Sequence, residues 1–231
     1  MAKRIAPGAE PVSLSRERVL RAAVALADAV GIESLTMRRL AEVLGVEAMS
    51  LYHHVANKES LLDGVVEIVM DEVGETVRAL DLPAAEDDWR TAMRMTILAA
   101  RRVLLRHPWA PQVFVSRTAT SAPVVRYFNT IAGTFRRGGF DYDLIHRALH
   151  TLGSRALGFA QELFEPDPGD GRADPESLAG LAAELPYLVE MLSEIAHDDP
   201  DSTLGWCDSQ SEFEFGLDLI LDGLEGLRAG R

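Results

Sequence analysis

The stretch from Ser15 to Leu62 decides the fold, and it reads SRERVLRAAVALADAVGIESLTMRRLAEVLGVEAMSLYHHVANKESLL. In its first part, apolar residues recur at intervals of three and four, which is typical of an amphipathic helix. Gly31 predicts the end of this helix, because glycine is the usual residue just past a helix terminus. The pattern therefore predicts a first helix from about Ser15 to Val30.

Two more helices are predicted in the same stretch. Thr36 carries a hydroxyl that can cap free N–H groups, so the second helix is expected to begin there and to end at Gly45. The third is predicted from Glu47 to His54, with Leu51 facing inward and a polar outer face. Two helices joined by a short glycine-containing turn, the second short and polar outside, are typical of a DNA-reading helix-turn-helix.

The same residues carry a family resemblance. The run LTMRRLAEVLGVEAMSLYHHVANKESLLD, residues 35–63, resembles the signature of the tetracycline-repressor (TetR) family of bacterial transcriptional regulators. The family has a Leu-Tyr-x-His run in the recognition helix, as at 51–54, and a Lys-Glu-x-Leu-Leu run that opens the next helix, as at 58–62. The resemblance implies an all-α fold, with an N-terminal three-helix DNA-binding domain and a larger helical domain for ligand binding and dimerisation.

Composition agrees with a cytoplasmic regulator. A chain of 231 residues, 47% of them hydrophobic, is long enough for one good core, or for a small N-terminal DNA-binding domain (the head) and a larger helical domain (the body). Its one cysteine, Cys207, excludes an internal disulfide framework, and a buried thiol is favoured over a redox sensor there. No apolar run approaches the roughly 20 residues that span a bilayer, and the N-terminus has no hydrophobic signal core. We therefore expect a cytoplasmic bacterial protein with no membrane partner, associated with the nucleoid when bound to DNA.

The charge is unevenly distributed along the chain. The net charge is −13, yet residues 1–58 carry eight Lys/Arg against six Asp/Glu. The remainder of the chain is therefore strongly acidic and should repel the phosphate backbone, leaving contact with DNA to the head. Because one head offers few positive charges, we expect binding to require two heads on one operator.

Beyond the head, the sequence predicts more helices and no strand. Residues from Lys58 to Ala79 are apolar on more than one side, as in a helix that connects head and body. The further predicted helices are Trp89–His107, a short piece at Pro111–Arg117, Ala122–Arg137, Tyr142–Phe164 with Asp141 as a cap, Glu176–Ala196 interrupted at Pro186, and Ser211–Leu227. The stretch 165–175 is rich in Pro, Gly and Asp and is expected to be mobile. The total is nine or ten helices, and the predicted domains are a flexible arm at 1–13, the DNA-binding domain at 14–60 and the helical body at 61–231.

The last helix strengthens the resemblance. The run 213–225, like Trp89 after its acidic run, resembles the tetracycline-repressor-like subgroup, in which two body helices pair with their copies in a second subunit. By resemblance, Tyr142–Phe164 and Ser211–Leu227 would form this four-helix bundle of a homodimer. Glycines within the two helices cost about 1 kcal/mol each relative to alanine, which close helix contact would offset. They are Gly153, Gly158, Gly216 and Gly223. The other interpretation is that they are merely tolerated in a composition rich in Ala, Gly and Arg.

The resemblance also implies which head residues meet DNA. Phosphate contacts are expected from Thr36, Arg38 or Arg39, Tyr52, His54 and Lys58. The positions nearest base edges are Ala48, Met49, Ser50 and His53. Because the recognition helix has no Arg, Asn or Gln, specificity is expected to depend on apolar contacts, on Arg38 or Arg39 and on DNA shape.

The effector site is harder to predict. The family binds small molecules between the body helices, and the candidate lining residues, most of them expected to be core, are Trp89, Met93, Ile97, Arg101, His107, Trp109, Phe114, Tyr127, Phe128, Ile131, His146, His150 and Trp206. The tetracycline repressor holds a magnesium–drug chelate through histidines, whereas Gly74 and Phe114 stand in the corresponding neighbourhoods here. A magnesium chelate is therefore disfavoured, and a small apolar or aromatic effector is expected.

The sequence gives little support to an enzymatic function. No motif of a nucleophilic, nucleotide-binding or metal-dependent enzyme occurs, and neither a cofactor nor a metal is predicted. The alternative is an all-helical enzyme or carrier whose N-terminal helices are only structural. Within the regulator hypothesis, repressor and activator are not separated by sequence, because that depends on where the operator lies. The effector, the operator sequence and the regulated genes do not follow from the residues either.

Overall fold

The computed structural model describes residues 13–117, 121–158, 184–187, 189–190 and 209–230. In these residues nine α-helices and one 3₁₀ turn are found, and no strand. The helices are α1 (Arg16–Val30), α2 (Met37–Leu44), α3 (Ala48–Leu51), α4 (Lys58–Arg78), α5 (Ala85–Arg106), α6 (Ala110–Ser116), α7 (Ala122–Arg137), α8 (Tyr142–Gly158) and α9 (Ser209–Ala229), and the 3₁₀ turn is Ile32–Ser34. The predicted all-α fold, with its nine or ten helices, is confirmed.

Several helix ends lie where the sequence predicts them. The Ser15 side chain accepts a hydrogen bond from the N–H of Arg18, and that of Thr36 accepts one from Arg39, so both residues cap their helices. Gly31 and Gly45 follow α1 and α2 with φ of 82° and 67°, a region in which glycine meets no penalty. The sequence therefore determines the limits of the first two helices.

The third helix is shorter than the predicted Glu47–His54. It comprises only Ala48–Leu51, and the next three residues form a turn. The carbonyl of Leu51 accepts hydrogen bonds from the N–H groups of both His54 and Val55, each at 2.9 Å, and the side chain of Val55 is buried. The chain thus leaves the helix at Leu51 so that Val55 enters the core.

Helix α5 begins earlier than the predicted Trp89, but it is interrupted just before that residue. Asp88 has non-helical φ and ψ of −147° and 74°, and its carboxylate accepts a hydrogen bond from the N–H of Thr91 at 2.9 Å. Hydrogen bonding to Thr91 lowers the pKa of Asp88. Asp88 therefore caps the regular helix that starts at Trp89, as Asp141 caps α8 through the N–H of Leu144.

The chain forms two compact units. Unit 1 comprises residues 1–80 and 98–130, and unit 2 comprises 81–97 and 131–231. In unit 1, α1 packs on α4 so closely that a Cβ on Gly64 would lie 2.4 Å from a methyl carbon of the buried Leu20. The core of this unit extends from α1 through α4 to the buried residues of α5 and α6.

Unit 2 has an aromatic centre. The indole of Trp89 lies 4.7 Å from the ring of Phe140 and 5.6 Å from that of Phe135, measured between centroids. Its Nε1–H donates to the Glu225 carboxylate of α9 at 2.8 Å. Trp89 thus fixes the start of α5 against α9 within this unit.

Some predictions fall outside the described residues. They are the arm at 1–12, the end of the predicted helix beyond Gly158, the stretch 165–175, most of Glu176–Ala196, Trp206 and Cys207. Pro186 is described, and it stands at the start of a short helical piece after two non-helical residues. No helix in the part that can be described is long and apolar enough to cross a membrane.

Candidate nucleic-acid interface

The turn between α2 and α3 is held by backbone hydrogen bonds. The N–H of Gly45 donates to the carbonyl of Glu42 at 3.2 Å, and that of Val46 donates to Ala41 at 3.0 Å. Leu40 on α2 and Leu51 on α3 are fully buried. The two helices are thereby fixed relative to each other, which is the condition for α3 to act as a recognition helix.

The residues predicted to lie near base edges differ in exposure. Met49 is 72% exposed and His53 is also exposed, so both are accessible to a groove. Ser50 is half-buried, and Ala48 is half-buried against the core of unit 1. The outer surface of α3 and the turn that follows it therefore presents the thioether of Met49 and the imidazole of His53, with the hydroxyl of Ser50 between them in the chain.

The predicted phosphate contacts surround this surface. Tyr52 is 43% exposed, while His54 is half-buried, and both lie in the turn after α3. Lys58 is exposed at the first position of α4, next to Asn57, whose side chain caps that helix by accepting from the N–H of Ser60 at 2.8 Å. Asn57 was not among the predicted residues, although an Asn just before a Lys-Glu run is a capping signal.

The structure shows different surroundings for Arg38 and Arg39, which the sequence left as alternative phosphate contacts. The Arg38 guanidinium donates to Glu42 at 3.1 Å, although its side chain is 88% exposed. Arg39 is exposed, and within the described residues it forms no ion pair. Other basic side chains of the head are also paired, Arg16 with Glu67 and Arg21 with Glu17. Arg39 and Lys58 are therefore exposed cations of the described head that form no ion pair.

A polar cluster that the sequence does not predict lies at the junction of α5 and α6. His107, expected among the effector residues, is buried between two carboxylates: its Nδ1 lies 2.8 Å from Asp28 of α1 and its Nε2 lies 3.1 Å from Glu72 of α4. The Trp109 indole donates to the same Asp28 oxygen at 2.7 Å. No local pattern signals Asp28 or Glu72, because their partners lie far away in the chain.

The other predicted effector residues are divided between the two units. In unit 1, Phe114, Tyr127 and Phe128 pack against the hydrophobic core, and burial raises the pKa of the Tyr127 phenol. In unit 2, Trp89, Met93, Ile97 and Ile131 are buried. His146 and His150 are exposed on α8, with ring centroids 4.7 Å apart, and Arg101 on α5 is half-buried. Core packing accounts for most of these residues, as the sequence analysis expected.

Two family models match the chain. The family of bacterial regulatory proteins named tetR matches residues 19–65, and the tetracyclin repressor-like C-terminal domain matches residues 82–228. The chain belongs to the TetR family of transcriptional regulators.

Individual relatives agree with this assignment. The repressor DrrR1 of Streptomyces coeruleorubidus is 31% identical over 99% of this regulator and 83% of its own length. The class C tetracycline repressor of Escherichia coli is 32% identical over 93% and 92%. The crystal structure of ActR from Streptomyces coelicolor in complex with actinorhodin has a TM-score of 0.72 at 26% identity, covering 94% of this regulator and 99% of ActR.

These findings confirm the predicted transcriptional regulator. The regulator is a ligand-responsive, DNA-binding transcriptional repressor, and its relatives are repressors and not enzymes.

Proposed function

We propose that this TetR-family regulator acts as a homodimer on a palindromic operator and is released by a small apolar or aromatic effector. The main observation in support of a dimer is an exposed apolar stripe on α9. Phe215, Leu219 and Leu227 are 64%, 58% and 57% exposed, and Gly223 completes their four-residue spacing. An exposed stripe of this kind marks a protein contact.

The neighbouring helix extends this surface. Helix α8 packs against α9 and exposes Tyr142 and His146 at the same four-residue spacing. A second copy that presents the same two helices would bury both stripes in a four-helix bundle related by a two-fold axis. Tyr142–Phe164 and Ser211–Leu227 are thus proposed as the dimer helices.

The charge of the head supports two heads per operator. We assign phosphate contacts to Thr36, Arg39, Tyr52, His54 and Lys58, with Arg38 limited by its pairing with Glu42. We assign base contacts to Ala48, Met49, Ser50 and His53. Each phosphate neutralised adds salt-dependent affinity, so the few cations of one head give weak binding. Two heads in adjacent major grooves, roughly 34–36 Å apart, would give tight binding.

The proposed effector follows from the lining residues. Gly74 on α4 and Phe114 on α6 offer no metal ligand where the tetracycline repressor has histidines, and Phe114 packs against the same core as the aromatic pair Tyr127 and Phe128. Among the described residues, no group of three or more His, Cys, Asp or Glu is arranged to hold a metal ion. The structure of ActR with actinorhodin supports a small organic ligand.

A gel shift tests the proposal. The DNA upstream of the regulator's own gene serves as probe, titrated against the purified protein at several salt concentrations. We expect a salt-sensitive protein–DNA complex that dissociates when a hydrophobic effector is added. The effector is found by a thermal-shift screen, because a ligand that binds only the folded state raises the unfolding temperature. A folded dimer without salt-sensitive binding would contradict the proposal.

A further inference from the structure

A buried histidine connects four helices of unit 1. The His107 side chain is 8% exposed, and its ring lies between Asp28 in the last turn of α1 and Glu72 in the middle of α4. The other carboxylate oxygen of Glu72 accepts a hydrogen bond from Arg106 of α5. Trp109, which immediately precedes α6, donates to Asp28. Each of these contacts holds α1 or α4 against the α5–α6 junction.

The two carboxylates determine the protonation state of the ring. A neutral imidazole has one N–H donor and one acceptor nitrogen, whereas the protonated ring has two donors. Both nitrogens of His107 lie within 3.1 Å of a carboxylate oxygen, and an ionised carboxylate can only accept. Both hydrogen bonds are therefore satisfied only by the imidazolium ion, which together with Arg106 balances the charges of Asp28 and Glu72.

The surroundings of Glu72 agree with a cationic ring. Burial alone would raise the pKa of Glu72, but the hydrogen bonds and the charge attraction of Arg106 and His107 together outweigh burial and hold this pKa below its ordinary value. Glu72 is therefore ionised, and loss of the His107 proton would place a nitrogen lone pair against a carboxylate.

We propose that protonated His107 is a positioning residue for operator binding, and that loss of its proton weakens the affinity for DNA. Helix α1 packs against both α2 and α4, so the position of Asp28 affects the helix-turn-helix. The inference rests on the proposed function in one respect, namely that the effector-free protein is the form that binds the operator.

The variant Glu72→Gln separates positioning from simple stability. With a glutamine at this position, neutral His107 can donate to Asp28 and accept from the new amide N–H, while the amide oxygen still accepts from Arg106. The cluster then keeps its hydrogen bonds when His107 is neutral. Glu75→Gln is the matched control, because Glu75 is exposed on the same helix and its substitution removes one negative charge outside the cluster.

The first measurement needs no DNA. Imidazole nitrogen NMR spectra of the full chain report the protonation of each histidine. We expect both ring nitrogens of His107 to carry a proton in the wild type near neutral pH, and only one of them in Glu72→Gln, because the glutamine amide can donate to the other. A wild-type His107 with only one protonated ring nitrogen under these conditions would overturn the inference.

The second measurement is the affinity for operator DNA between about pH 6 and pH 8.5, the range in which histidines titrate. The probe is a duplex selected from random sequences by the wild-type protein. We expect the wild type and Glu75→Gln to lose about tenfold more affinity across this range than Glu72→Gln, which corresponds to roughly 1.4 kcal/mol. His53 and His54 are present in all three proteins, so any pH dependence that they contribute cancels in the comparison.

The outcomes are distinguishable. Tight binding with equal pH profiles for all three proteins would overturn the role of His107 and leave the proposed function intact. If the wild type selects no duplex at any pH, the proposed function fails and the positioning role fails with it.

Discussion

Gly138 shows how closely single residues fit in unit 2. A Cβ added there would lie 2.5 Å from the Cβ of Trp89 and 2.8 Å from its Cγ, and Trp89 is 5% exposed. The indole cannot move aside without breaking its hydrogen bond to Glu225. We predict that Gly138→Ala lowers the free energy of unfolding by about 1–3 kcal/mol, the cost of overpacking.

Chemical denaturation of the purified variant checks this value. Gly74→Ala is the control, because its Cβ would meet only the flexible end of Arg78 at 3.7 Å within a helix. It should leave stability unchanged or raise it by up to about 1 kcal/mol through helix propensity. Equal stability of the two variants would contradict the close packing at Trp89.

Arg39 and Arg38 offer a second test at the residue scale. Arg38 forms an ion pair with Glu42, whereas no described residue forms an ion pair with Arg39. We predict that Arg39→Ala reduces the slope of log affinity against log salt by about 0.9 for each operator phosphate that is no longer neutralised. Arg38→Ala should change the slope less. Fluorescence anisotropy in a salt series measures both, and a larger effect of Arg38→Ala would contradict the assignment.

At this scale the sequence predicted the residues that act on near neighbours. Thr36 caps a helix that begins one residue later, and Gly31 and Gly45 take the backbone angles that follow a helix end. Asp28 and Glu72 were not predictable in the same way. They lie 79 and 35 positions from His107, and no periodic pattern encodes a contact between side chains that meet only in the fold.

At the scale of elements, the helices agree with the sequence except where two hydrogen-bonding patterns compete. Val55 stands four residues after Leu51, a spacing that fits a continuing helix as well as a turn into the core. The turn prevails because the Leu51 carbonyl accepts two N–H groups and Val55 is buried. The predicted recognition helix was therefore too long, although Met49 and His53 are exposed as predicted.

The pairing of α5 with α9 belongs to this scale. Arg94 donates to Asp218 at 3.0 Å and to Glu214 at 2.5 Å. Hydrogen bonds from Gln210 and Arg94 lower the pKa of Glu214, and those from Arg228 and Trp89 lower the pKa of Glu225. A carboxyl group whose pKa is lowered by folding stabilises the fold above its unfolded pKa, and this stabilisation disappears as the pH falls through the folded pKa.

We predict that Arg94→Gln lowers the free energy of unfolding at pH 7 by about 0.4–2 kcal/mol, the sum expected for two partly exposed ion pairs. The difference from wild type should shrink as the pH falls below about 4, where the carboxylates of both proteins become protonated. Arg147→Gln is the control, because its pair with Asp143 is exposed on one helix and is worth only about 0.5 kcal/mol. Denaturant unfolding at a series of pH values measures these differences, and a constant difference down to about pH 3 would contradict the role of the ion pairs.

At the scale of the whole molecule, the apolar stripe of α9 is the surface that the described part of the chain leaves uncovered. Gly153 of α8 and Gly223 of α9 have no atom within 4 Å of an added Cβ, leaving out their own helical turns and chain neighbours. Close packing within the described part of the chain therefore does not account for these glycines. A partner helix in the proposed bundle would give a physical reason for keeping them.

We predict that Leu219→Glu converts the dimer to monomers. The side chain is 58% exposed in the chain, so the folded monomer tolerates a carboxylate, whereas a bundle interface would have to desolvate it. Val115→Glu is the matched control, because Val115 is 68% exposed on α6 of unit 1. Sedimentation velocity should show monomers for Leu219→Glu and dimers for Val115→Glu. Dimers in both cases would contradict the proposed interface.

The sequence predicted the function from less than a third of the chain. The motifs in residues 35–63 were sufficient for the family, and the charge of the head predicted two copies per operator. The division of the structure was harder to foresee, because each compact unit combines two separate parts of the chain and both α5 and α7 contribute to each unit. Local patterns follow the chain and cannot show such discontinuous packing.

The central claim is that two copies act together on one operator, and binding stoichiometry on matched duplexes tests it most directly. Native mass spectrometry would compare the palindromic duplex that the wild-type protein selects from random sequences with a duplex that retains only one half-site, at equal length and salt. We predict two copies on the palindrome and weak, salt-sensitive binding to the half-site duplex. A single copy on the palindrome, or equal affinity for both duplexes, would contradict the claim.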